Sequence, residues 1–153
     1  MVSEMSNRQL YDQDFFAWAN EQAVLLRARR LSEADIDHIA EEIESMGKAE
    51  KRELVSRLQV LLMHLLKWQY QPDRRGVRWE VTIGNQRDAL VDHLTDNPSL
   101  KARFPEAVAR AYRAARGEAR VETGLPEAIF PPACPWTLAQ ITNEDFWPDL
   151  SSS

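Results

Sequence analysis

The run from Leu54 to Pro72, LVSRLQVLLMHLLKWQYQP, constrains this chain more than any other stretch. On a helical wheel Leu54, Leu58, Leu61, Leu62 and Leu65 share one face, and Leu66, Val55, Val60 and Met63 carry the apolar surface almost all the way round. A helix that is apolar on nearly every side has to be surrounded by other helices. The run therefore predicts the central rod, over about 51–70, of an all-α fold. Polar groups that a core does not require, His64 and Lys67 among them, sit inside or beside that rod.

The remaining elements are read as helices around it. Asp12 is expected to cap a first helix reaching about Arg30, with Phe15, Phe16, Trp18, Ala19, Ala23 and Leu26 as its apolar contacts. Ser32 followed by Asp35 reads as a capping box, and Ile36, Ile39, Ala40, Ile43 and Met46 recur at helical spacing as a core-facing stripe. Gly47 lowers helix propensity by about 1 kcal/mol relative to alanine, so a long stretch over about 33–70 is expected to be continuous or bent. Pro72 ends it. Further helices are expected over about 77–95 and from Pro105 to about Glu122, with Gly124 as a terminator. Thr137 and Gln140 form a second capping box for a short helix before Phe146, Trp147 and Pro148. The expected architecture is a bundle of four long helical segments plus a short C-terminal helix, in one domain over 11–150. Residues 1–10 are expected to be flexible and 151–153 frayed.

Composition sets outer bounds. The chain has 153 residues, of which 44% are hydrophobic and 28% charged, ordinary for a globular protein. No apolar run approaches the roughly 18 to 20 residues a membrane span needs, and the first residues lack the pattern of a signal peptide. Cys134 is alone, so no intrachain disulfide can form, which fits a reducing, cytoplasmic setting. Net charge is −5, distributed as −6 over 1–50, +5 over 51–78, +1 over 79–121 and −5 over 122–153. Charge complementarity within the fold explains that distribution more simply than an anion-binding strip.

Several blocks, taken in order, carry a family resemblance. They include Asp14-Phe-Phe-Ala-Trp, Ala40-Glu-Glu-Ile-Glu-Ser-Met-Gly, His64-Leu-Leu-Lys-Trp-Gln-Tyr-Gln-Pro, Gln86-Arg, Glu122-Thr-Gly-Leu-Pro and Cys134-Pro-Trp-Thr. Together, over about Tyr11 to Pro148, the chain resembles the bacterial domain-of-unknown-function family numbered twenty-nine. The resemblance implies a helical fold and no assigned activity. It points to Glu41, Glu42, Glu44, Arg57, His64, Lys67, Gln71 and Arg87 as the family's polar positions.

Three groups of residues merit a functional reading. The first surrounds His64. Trp68 and Gln71 share its strip and Arg57 precedes it by two turns, while Lys67, Arg74 and Arg87 are further cations that could make an anion or carboxylate pocket. The simpler reading is a buried hydrogen-bonded network, since polar groups inside a bundle must be paired. The second is the acidic group Asp37, Glu41 and Glu44, projecting away from Ile36 and Ile43. It is either a solvated face paired with Lys48 or a docking surface. The third comprises His38, His64 and His93, which fall on separate helices with Asp35, Glu42 and Asp96 near in sequence. Three imidazoles could hold a metal ion, but no spacing signature accompanies them, so no metal or other cofactor is expected.

By elimination, the leading functional reading is a small cytoplasmic interaction or regulatory module that meets a protein partner or a second copy. No nucleotide loop, nucleophile elbow or metal signature argues for catalysis. The alternative is a hydrolase-like enzyme using the pocket around His64, with or without metal. A nucleic-acid binder through the basic, aromatic strip from Lys67 to Arg78 is the third reading, disfavoured by a sequence pI of about 5.3.

Overall fold

In the computed structural model, which describes residues 6–149, the chain is helical throughout. The elements are α1 (Asn7–Gln13), α2 (Phe15–Arg27), α3 (Ile36–Tyr70), α4 (Val77–Asp96), α5 (Phe104–Thr123) and α6 (Leu138–Thr142), with short 3-10 turns between them. Among the described residues there is no strand. None of these helices is long and apolar enough to cross a membrane. The four long segments and the short last helix match the expected bundle. By their contacts the residues fall into two compact units, the first ending at Ala49 and the second beginning at Glu50. Of the stretch 1–10 expected to be flexible, residues 7–10 belong to α1 and 1–5 lie outside the described residues, as do 151–153.

In the first unit, capping fixes where the helices begin. Ser6 and Gln9 form a capping box that starts α1. Asp14, at φ −147°, ends α1, and its side chain accepts from the Ala17 amide at 3.1 Å to start α2. The single helix expected from Asp12 to Arg30 is therefore two helices, and the cap is Asp14, because a non-helical residue stands between them. Asp35, not Ser32, receives the first amides of α3 through its side chain and its carbonyl. The same carboxylate accepts from the Trp18 indole at 3.0 Å and contacts His38 Nδ1 at 2.7 Å. Its removal from water favours the protonated acid, but these bonds outweigh that and hold its pKa below the usual value. The Tyr11 ring stacks on His38 with centroids 3.9 Å apart, and its hydroxyl donates to Glu42. That bond, with burial second, pushes the phenol up to about 12.

The stripe on α3 comes out differently from expectation. Ile36, Ala40, Ile43 and Met46 are exposed and Ile39 is only partly covered, so the periodicity is real but none of the described residues encloses it. α3 itself is one helix of 35 residues, and Gly47 does not break it. A side chain at Gly47 would meet nothing, which leaves propensity as its sole cost.

The second unit is built on the rod. Leu54, Leu58, Leu61, Leu62, Leu65 and Leu66 are fully buried, with Met63 nearly so, while Val55 and Val60 are partly covered. They join one cluster with Ile83, Leu90 and Leu94 of α4, and with Phe104, Ala107, Ala111, Tyr112, Ala115 and Ala119 of α5. The alanines recur every four residues, giving α5 a smooth apolar edge opposite its arginines. Lys51, Gln59 and Lys67 reach Glu106, Glu118 and Glu122 in turn, so α5 runs in the same sense as α3. Pro105 stands in the first turn of α5, and Gly124 closes it at φ 73°, a left-handed cap that glycine adopts without strain. The Pro-rich segment after it packs on the same core through Phe130, Trp136 and Ile141, all buried, with the Phe130 ring edge-on to Tyr70 at 5.2 Å. Thr137 and Gln140 cap α6 as a box, as their spacing predicts.

Candidate functional site

The residues grouped around His64 do not form one site. His64 is half-buried, and its Nδ1 donates to the Val60 carbonyl of its own helix at 2.8 Å. Arg57 instead pairs with Glu53 at 3.0 Å. Lys67 binds Glu122 at 2.8 Å and lies 4.9 Å above the Trp79 ring. Gln71 reaches the Thr123 carbonyl, and Arg74 is exposed. The cations of the expected pocket are thus spread over α3, the turn after it and α4, with Arg57 paired to Glu53, Lys67 to Glu122 and Arg74 exposed. The aromatic strip is occupied too. Trp68 packs against Trp147 at 4.5 Å, and Arg75 lies over Trp68 while donating to the Trp68 carbonyl at 2.7 Å.

Burial, with Lys67 adding to it, lowers the His64 pKa from 6.5, opposed by the Val60 bond and Glu122. The folded state thus prefers neutral imidazole, and the unfolded chain binds the proton more readily. The contribution is fully present above pH 6.5 and is lost as pH falls through the lower folded value. Acidification from pH 7.5 to 5.5 is expected to destabilise the parent protein more than His64→Leu, compared by urea midpoints at each pH. Equal losses would show that His64 is not a source of the pH dependence.

Arg87, from the same predicted set, is enclosed at 2% exposure and bonded to backbone carbonyls. Its Nε donates to the Ile141 carbonyl at 2.9 Å and its Nη2 to that of Phe146 at 2.7 Å, with Gln140 O at 3.5 Å. Burial lowers its pKa. This arginine ties α4 to the C-terminal segment.

The acidic group is where the sequence places it. Asp37, Glu41 and Glu44 are all exposed on α3, and no ion pair to Lys48 forms among the described residues. Asp37 and Glu44 stand about 100° round the helix from Ile36 and Ile43, beside that end of the exposed stripe, with Met46 on its far side. The solvated face predicted for the acids therefore borders an apolar face that is solvated as well.

The histidines separate. His38 is engaged with Asp35 and Tyr11, and His64 with its own backbone. His93, at 7% exposure, meets Glu50 and Glu53, two residues of α3 that its sequence neighbourhood does not reveal. Among the described residues, these three form the group of metal-ligating type side chains that converge within 4.8 Å. The expected candidate triad of His38, His64 and His93 is not that group. A second concavity missed from sequence, about 470 Å³, lies between α5 and the Pro-rich segment, lined by Tyr112, Arg113, Arg116 and Cys134. Burial pushes the Cys134 thiol up, away from thiolate reactivity.

A family model described as "Domain of unknown function DUF29" matches residues 10–147. No curated protein and no solved structure gives a significant match.

Proposed function

This chain belongs to the DUF29 family, and we propose that its first compact unit is a docking module for a basic amphipathic helix of a partner protein. The observation that carries the reading is the stripe of Ile36, Ile43 and Met46. Ile43 is 62% and Met46 65% exposed although their spacing is that of a buried helix face. Single exposed apolar residues are ordinary, but several aligned on one helix leave apolar area that water covers at a cost. A partner helix laid alongside would remove it, the helix-against-helix mode of recognition. Asp37, Glu41 and Glu44 beside the stripe select a partner with lysine or arginine flanking its apolar face. A symmetric pairing of two copies through the same stripe would set carboxylates near carboxylates. The dispersal of the cations around His64 removes support from an anion-pocket enzyme, and the engaged state of Trp68, Lys67 and Arg75 removes support from stacked nucleic acid.

The test uses a labelled designed helix with leucine on one face and lysine on the other, beside a glutamate-faced counterpart. Saturable binding of the lysine helix is expected, weakening with salt. Ile43→Asp is expected to abolish it, because a charge enters the contact, while leaving folding intact at an exposed position. Glu41→Gln with Glu44→Gln should weaken it about threefold to tenfold, in line with one or two rim charges. Equal binding of both peptides, or an unaffected Ile43→Asp, would overturn the proposal. So would a parent protein that sediments as a dimer and becomes monomeric on Ile43→Asp, since a second copy would then be the occupant.

A further inference from the structure

The structure assigns a divalent-cation site to the second unit, formed by Glu50 and Glu53 of α3 and His93 of α4, with zinc as the class of ion it fits. Its starting point is the histidine tautomer. His93 Nε2 lies 2.8 Å from the Glu50 carbonyl oxygen, which can only accept, so this nitrogen carries the proton. In the neutral ring, Nδ1 is then a bare lone pair. It has no hydrogen-bond donor, its ring is 93% enclosed on a relative exposure of 7%, and it faces two carboxylate oxygens. A lone pair aimed at two anions is repulsive unless a positive charge lies between them. A second proton on the ring or a metal ion supplies that charge.

Geometry and surroundings favour the ion. Nδ1 stands 3.4 Å from Glu53 Oε2 and 3.6 Å from Glu50 Oε2, both beyond hydrogen-bond length. A tetrahedral ion with bonds of about 2.1 Å has ligand–ligand edges of about 3.4 Å, whereas adjacent octahedral ligands would be about 3.0 Å apart. The two separations from Nδ1 therefore suit a tetrahedral ion, which three protein ligands within 4.8 Å of one another could hold with one position left for water. The outer contacts are those a metal-bound histidine and carboxylate need. The backbone carbonyl holds the far nitrogen of His93, and Arg57 binds the other oxygen of Glu53 through Nε at 3.1 Å. Asp92 and Asp96 line the same cavity of about 520 Å³. Four carboxylates against one arginine make that concavity a sink for cations. The ion would clamp α3 to α4, and its open position would face this cavity.

The experiment titrates the full chain, stripped with chelator, with zinc chloride by calorimetry, and with cobalt(II) followed by visible absorption. One equivalent of zinc is expected to bind and raise the melting temperature, and cobalt to give the intense bands of a tetrahedral complex. Glu50→Gln, at a half-exposed side chain that should not impair folding, is expected to lower zinc affinity by about tenfold or more. His93→Gln should abolish the cobalt bands. Because a buried substitution can unfold the unit, Glu53→Gln gives an independent second reading and should act as Glu50→Gln does. Zinc binding unchanged in both glutamine variants would overturn the site. A parent protein that binds neither ion at micromolar concentration would do so as well.

Discussion

Leu61→Ala is expected to lower the free energy of unfolding by about 2 to 5 kcal/mol, read as a fall in the urea midpoint at unchanged slope. Leu61 is fully enclosed in the middle of the rod, within the cluster that joins α3, α4, α5 and the C-terminal segment. The substitution removes three side-chain carbons, Cγ and its two methyls, that no solvent can replace. It also leaves a cavity whose walls are held by neighbouring leucines on the same rigid helix, so collapse into it is restricted. Stability of a domain this size amounts to only about 5 to 15 kcal/mol, so the loss takes a large share of the total. Val60→Ala is the matched control. Val60 is one residue away but only partly covered, so a loss of about 1 kcal/mol or less is expected there. Equal effects at the two positions would mean that the rod is not enclosed on its Leu61 face.

The rod was legible because six leucines at helical spacing leave no other way of hiding them, and each of the six is buried. The same periodicity misled at Ile36, Ile43 and Met46. A hydrophobic repeat says that a face seeks apolar contact and says nothing of whether the contact is in the same chain. The start of α6 was legible from the Thr137–Gln140 box, whereas Asp12, expected to cap the first helix, lies inside α1 and the cap of α2 is Asp14, whose non-helical backbone separates the two helices. His93 was recognised as a residue of interest, but Glu50 lies 43 positions away. Only the antiparallel course of α4 along α3 brings them together, and no local spacing encodes that. The cations near His64 were legible as a list and not as pairings. Lys67 and Arg87 found a glutamate and carbonyls on other elements, and Arg57 a glutamate one turn back on its own helix, so most of those partners follow from helix packing instead of sequence distance.

Arg87→Ala is expected to cost on the order of 3 to 5 kcal/mol and to loosen the segment from Leu138 to Trp147. The guanidinium makes two well-formed charge-assisted bonds, to the carbonyls of Ile141 and Phe146, and such bonds contribute about 1.5 to 3 kcal/mol each when buried. Ile141 lies in the last turn of α6, whose carbonyls have no helical partner and carry the negative end of the helix dipole. Removing the arginine strands those acceptors against an apolar core. The Trp147 ring, 5.5 Å from the guanidinium carbon and packed on Trp68, also loses a neighbour. Arg87→Lys is the informative companion. One ammonium on a thinner stem cannot span two carbonyls as the planar fork does, so lysine should recover less than half of the loss. Urea unfolding gives the energy, and amide hydrogen exchange over residues 138–147 shows where it is lost. Faster exchange confined to that segment is expected for Arg87→Ala. Uniformly faster exchange through α4 and the rod would mean that Arg87 supports the whole core, and full recovery by lysine would mean that charge alone, not the fork, holds the segment in place.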